Sequence, residues 1–147
     1  MLERLTSLFK SRAPVDAPLP EPDARLALGT LLVRVAMADK AYLFEEVEQI
    51  DRILAEAYGL TPIEAAKMRA TCEKLAFSVE DDGEMARVIR EAVDYDHRRE
   101  TMEALWRVVI ADGITDERET AAVELIEEQL GMARDDSQAA RAAASIP

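Results

Sequence analysis

A chain of 147 residues with 49% hydrophobic and 33% charged side chains has material for one globular core and too little for two. Its 30 acidic residues outnumber 18 basic ones, and a net charge of −12 argues against nucleic acid as a partner. One cysteine, Cys72, rules out an internal disulfide and any CxxC motif, and one histidine, His97, rules out His-rich metal sites. No apolar run approaches the ~18 residues of a bilayer span, and the first residues lack the features of a secretory signal; the expectation is a cytoplasmic protein.

Residues 1–12 place Leu2, Leu5, Leu8 and Phe9 at helical spacing, with Arg4, Lys10 and Arg12 among them. Such an amphipathic segment suits weak contact with a membrane surface or a partner, which would make the protein membrane-peripheral; a frayed end or a helix packed on the body fits as well. Pro14, Pro18, Pro20 and Pro22 then favour extended linker structure. The folded body is expected over 23–132, and the alanine-rich stretch 133–147 reads as a flexible or short helical tail.

Within the body the pattern is helical throughout. Asp23 caps a first helix reaching about Ala38, with Leu28, Leu31, Leu32 and Val35 on one face. A second, roughly 43–58, carries Phe44, Val47, Ile50, Ile53, Leu54 and Ala57 on its apolar face. Its acidic run, Glu45, Glu46, Glu48 and Asp51, reads as solvated, and Gly59 suits a left-handed cap. Thr61-Pro62-Ile63-Glu64 is a capping box that starts a third helix, with Met68, Cys72 and Leu75 inward and Cys72 a small core residue. Met85, Val88, Ile89 and Val93 mark a fourth helix. Asp94 or Asp96 caps a fifth, with Trp106 in the core and His97 facing solvent. A sixth covers about 116–130 and ends at Gly131. No alternating Val/Ile/Thr run predicts a strand.

A shift of 73 residues superposes Val33-Arg34-Val35 on Trp106-Arg107-Val108, Ala38-Asp39 on Ala111-Asp112, Glu46 on Glu119 and Ile50 on Val123. With one residue deleted late in the second copy, Gly59-Leu60 falls on Gly131-Met132. The chain therefore reads as all-α: a compact bundle of six to seven helices built from two helix–acidic turn–helix hairpins about a pseudo-twofold, joined by the third and fourth helices.

The chemistry sits in the turns. Asp112, Asp116 and Glu119 occupy positions 1, 5 and 8 of the second turn, with Gly113 at position 2. Hard oxygen donors of this kind suit calcium or magnesium, although the pattern is not an EF-hand. Capping is the competing explanation, since Asp116 with Glu119 three residues on is a helix N-terminus signature. What capping leaves unexplained is the recurrence of Asp39 and Glu46 at the same seven-residue separation. Lys40 and Leu43 replace the glycine and the middle aspartate there, so the second turn is expected to bind a cation better. Arg34 and Arg107, one turn before the aspartates, either pair with an acidic turn or lie on solvent faces.

The segments Leu32-Val33-Arg34-Val35-Ala36-Met37-Ala38-Asp39 and Ala104-Leu105-Trp106-Arg107-Val108-Val109-Ile110-Ala111-Asp112-Gly113, each followed by a glutamate seven residues after its aspartate, resemble the TerB-like family. That family comprises tellurite-resistance TerB proteins and relatives such as the N-terminal region of the co-chaperone DjlA. The resemblance covers about residues 24–132. It implies an all-helical bacterial domain with repeated acidic turns proposed to chelate divalent metal, associated with tellurite resistance and stress response, often near membranes. By that resemblance Asp112, Asp116 and Glu119, with Asp39 and Glu46, are the candidate ligands. The first turn departs from the family's D-G-x-x-D-x-x-E pattern at Lys40 and Leu43. The expected function is a non-enzymatic module that holds a divalent cation, or presents an acidic surface, to engage an unidentified protein. A metal-free interaction domain and a carboxylate-based hydrolase are the alternatives, the last lacking a nucleophile or phosphate loop.

Overall fold

Asp23 opens the first helix as its position requires: Oδ1 accepts from the Leu26 amide at 2.9 Å, and α1 runs Ala24–Ala36. The computed structural model describes residues 23–39, 41–78, 83–111, 113 and 116–146. Six helices follow α1: α2 (Phe44–Tyr58), α3 (Pro62–Ser78), α4 (Gly83–Ala92), α5 (Tyr95–Val109), α6 (Glu117–Gln129) and α7 (Arg134–Ala144). The fold is all-α, with no strand among the described residues. No described helix is long and apolar enough to cross a membrane. The amphipathic segment over 1–12 and the proline-rich linker lie outside the described residues.

The caps explain the boundaries. Thr61 Oγ1 accepts from the Glu64 amide at 3.2 Å while Glu64 Oε1 accepts from the Thr61 amide at 2.9 Å, the reciprocal box that starts α3. Asp94 accepts from the His97 amide at 2.9 Å and starts α5. Helix α2 ends at Gly59 (φ 63°), with the Leu60 amide donating to Ala55 O. Helix α6 closes the same way at Gly131 (φ 69°), where the Met132 amide donates to Glu127 O. Identical terminations in equivalent places are the repeat expressed in hydrogen bonds.

Helix α1 is the centre of the molecule. Its sequence is apolar on nearly every side, and nine of its thirteen residues are buried. Helices α2, α3, α4, α5 and α6 all pack against it. Helix α3 comes close at Gly29, where a side chain would run into Cys72 Sγ. The two hairpins, α1–α2 and α5–α6, meet reciprocally, α2 touching α5 and α6 touching α1, as a pseudo-twofold demands.

Four expectations need correction. The alanine-rich tail is not loose: α7 packs along α5 and buries Ser137, Ala140 and Ala144. Its small side chains allow close approach to Trp106, whose Nε1 donates to Ser137 Oγ at 3.2 Å while Arg141 stacks 4.8 Å from the ring. Helix α7 lies on α5 as α3 lies on α1, so the repeat is three helices long and α4 alone is the connection. In α2 the expected face is buried at Ile50, Ile53 and Leu54 but not at its ends: Phe44 is 74% exposed and Ala57 is exposed, whereas Glu46 is buried. Nor is the acidic run a solvated stripe, because Asp51 Oδ1 accepts from Arg69 Nε at 2.5 Å and ties α2 to α3.

Two stability predictions follow from this packing. Gly29→Ala gains about 1 kcal/mol of helix propensity but overpacks a site where such insertions cost roughly 1–3 kcal/mol. Chemical denaturation should show a net loss of about 1 kcal/mol, reversed in the Gly29→Ala/Cys72→Ala pair. A chain ended at residue 132 should show red-shifted emission from Trp106, the only tryptophan, and a lower melting temperature; unchanged emission would mean α7 does not cover the ring.

Candidate functional site

Asp39 stands at the end of the first hairpin's entry helix, and its Oδ1 accepts from the Ala41 amide at 2.9 Å, pinning the turn. Leu43 has no side-chain group to cap α2. Glu46, in the first turn, folds back instead, and its Oε1 accepts from the Leu43 amide at 3.0 Å. In the second hairpin Gly113 takes a left-handed φ of 76°, and Asp116 caps α6 by accepting from the Arg118 amide at 2.8 Å and the Glu119 amide at 3.4 Å. Asp112 lies outside the described residues.

Glu46 and Glu119 hold the same place in their helices, and the crossed hairpins bring them together. Both are closed off from solvent, at 1% and 2% exposure. Glu119 lies within hydrogen-bonding reach of Glu46 and of Asp39. Burial, then the charge of Glu46 and that of Asp39, push Glu119 up to about 9, so the Glu46–Glu119 pair holds a proton at neutral pH. Among the described residues no donor reaches Glu119 Oε2, which is buried. The site is thus an acidic cluster shared between the repeats, where the sequence suggested one cluster per turn. The signal for this was present: residues near a pseudo-twofold axis meet their own equivalents, and Glu46 and Glu119 are equivalents.

The structure brings Glu46, Glu119 and Asp39 together and gives Asp116 to the cap of α6. Among the described residues no group of three or more His, Cys, Asp or Glu side chains is arranged to hold a metal ion. The donor chemistry nevertheless fits a hard cation. Its donors are all carboxylate oxygens, and Glu119 Oε2 is buried without a donor partner among the described residues.

Arg34 and Arg107 have different surroundings. Arg34 Nη1 donates to Ala76 O at 2.9 Å, holding the end of α3, while Arg107 bonds Glu103 at 3.2 Å and faces Glu56 at 3.9 Å. His97 is exposed and bonded to Asp94 through Nδ1 at 2.7 Å, which holds its ring above the ordinary value. Cys72 is fully buried, and burial pushes its thiol up to about 11; it is a core residue.

The sequence model of the family described as Tellurite resistance protein TerB matches residues 25–142. The chain belongs to the TerB family. The matched range takes in α1 through most of α7, so the TerB match includes the helix that covers Trp106. Searches of curated proteins and of solved structures give no significant match.

A proton held at about 9 in the folded TerB-family domain, against an ordinary 4.5 when unfolded, has a definite sign. Between those values the folded state binds more protons, so stability falls as pH rises from 4.5 towards 9, by up to about 1.4 kcal/mol per pH unit. In chelator, melting temperature should drop from pH 5 to pH 8, and Glu119→Gln should flatten that slope and melt higher at pH 8. Equal slopes in both proteins would remove Glu119 as the buried titrating group.

Proposed function

We propose that this chain is a non-enzymatic TerB module that holds a hard divalent cation, calcium or magnesium, where the carboxylates of its two hairpins meet. In this reading it acts in the cytoplasm in protein interactions tied to stress or tellurite resistance. The observation that supports it is the buried contact of Glu119 with Glu46 and Asp39, which requires a neutralising charge. At present a proton meets that requirement, and a cation would meet it with both carboxylates ionised. Glu46, Glu119 and Asp39 would hold the ion, with Asp112 and Asp116 supplied by the second turn. The ion's chemistry is charge neutralisation and bridging, and the chain's own part is to keep carboxylates from both hairpins in one dry place. Locking the angle between the hairpins would then couple cation binding to the surface offered to a partner.

A metal-free interaction domain is the second reading, favoured by the capping bonds that already occupy Asp116 and Glu46 Oε1. Hydrolysis is a poorer fit, because a carboxyl only 2% exposed has no path to a substrate.

Melting temperature in calcium, magnesium and manganese, then in chelator, separates these readings. Millimolar metal on a ~10 micromolar site adds about 2.7 kcal/mol. The wild type should show that rise with at least one metal, and Glu119→Gln and Asp112→Ala should lose it. A wild type that responds only to ionic strength would leave the carboxylates as caps.

A further inference from the structure

The two candidate ligands of the first hairpin bracket a residue that has no part in the cation reading. Asp39 Oδ1 accepts from the Ala41 amide at 2.9 Å, and Glu46 Oε1 accepts from the Leu43 amide at 3.0 Å. Tyr42 stands between those two amides, so a hold on Tyr42 is a hold on both carboxylates. Capping does not supply that hold as it does in the second turn. There Asp116 bonds the Arg118 and Glu119 amides, whereas the matching place in the first turn is Leu43, which has no side-chain cap. The first turn is left to its Glu46 bond and to the surroundings of Tyr42.

Those surroundings form a socket. Tyr42 packs against the hydrophobic core, and its hydroxyl is buried. Two groups of α3 face the hydroxyl: the Glu73 carboxylate, which can accept its hydrogen bond, and the Arg69 guanidinium. Burial, then Glu73, hold the phenol above its ordinary value, so it stays protonated and remains a donor. Neither of the facing groups is loose. Arg69 Nη1 donates to Glu73 Oε2 at 3.2 Å and Arg69 Nε to Asp51 Oδ1 at 2.5 Å, so the socket is built from α2 and α3 together. A planar guanidinium held by two carboxylates has little freedom left. Seventy-three residues on, the sequence has Thr115 in the place of Tyr42, so an aromatic anchor is particular to the first hairpin.

We propose that Tyr42 is a positioning residue for the cation site: lodged in the Asp51–Arg69–Glu73 socket, it fixes the Ala41 and Leu43 amides and through them the Asp39 and Glu46 carboxylates. The first hairpin thereby offers a pre-set half of the site in spite of its departures at Lys40 and Leu43, and pre-setting lowers what ordering costs on binding. The assignment rests on the carboxylates being cation ligands, but the hold on the two amides acts with or without an ion.

Tyr42→Phe keeps the ring and removes the hydroxyl, so it spares the packing and tests the anchor. In chelator, amide exchange at Ala41 and Leu43 should speed by about fivefold or more, the scale of one lost hydrogen bond. Exchange at Leu60 and Met132, in the C-terminal caps of α2 and α6, should stay as in wild type. Glu73→Ala should act in the same way, and the Tyr42→Phe/Glu73→Ala pair should be no faster than either alone, because both break one connection. With metal, the Kd for calcium or magnesium, whichever the wild type binds, should rise about fivefold or more in Tyr42→Phe. Its melting temperature in chelator should stay within about 4 °C of wild type, a split that a role in packing alone would not produce. Unchanged exchange at Ala41 and Leu43 overturns the proposal, as does additive acceleration in the pair or a Kd equal to that of wild type. A wild type that binds neither metal would remove the cation reading, and exchange of the two amides, measured without metal, would still decide whether Tyr42 holds them.

Discussion

Helix α1 is apolar on nearly every side, and the arrangement of the molecule answers to that. A helix apolar all round must be wrapped, and here five helices do the wrapping. Helix α3 takes the face with Gly29, close enough that the glycine's missing side chain is part of the fit. Helix α4 covers another side, and the second hairpin closes the rest. Because that hairpin repeats the first, closing it on α1 also sets α2 on α5, and the N-terminal turns of α2 and α6 come face to face. The meeting of Glu46 and Glu119 is thus a consequence of enclosing Leu31, Leu32 and Val33.

Two carboxyl groups shut in together cannot both ionise without a counter-charge, and this gives the hairpin junction a property the rest of the core lacks. Most of the buried contacts elsewhere are apolar and indifferent to solution conditions. At the junction, packing of one repeat against the other is linked to whatever neutralises Glu119. A small chemical event, the exchange of a proton for a cation or its loss, therefore acts directly on the interface between the two halves. Ordinary capping duties do not remove this linkage, since Glu46 uses Oε1 for the Leu43 amide and still presents its charge to Glu119.

Much of the fold was legible because its signals are local. Asp23, the Thr61–Glu64 box, Asp94, Gly59 and Gly131 are backbone grammar, and each boundary appears within a residue or two of where those residues place it. What was not legible depends on neighbours remote in sequence. Alanine and serine in α7 carry little hydrophobic signal, yet against a tryptophan and a flat helix surface they are the right size. Glu46 reads as polar and outward until the other hairpin supplies Glu119. The cluster draws on both levels: spacing along the chain joins Asp112, Asp116 and Glu119, and the pseudo-twofold, invisible to that spacing, adds Glu46 and Asp39 to Glu119.

The central position of α1 also governs the order in which the molecule can assemble. Of the described helices it is the first to be synthesised, but the surfaces that cover it against α5 and α6 lie some seventy to ninety residues further along. Helices α2 and α3 can shelter part of it early; the remainder stays bare until the second hairpin has emerged. A nascent chain halted after α4 therefore carries an open leucine and valine stripe, the kind of surface that chaperones and neighbouring nascent chains recognise. Repeat architecture usually lets a protein fold unit by unit, but here the first unit is completed only by the second.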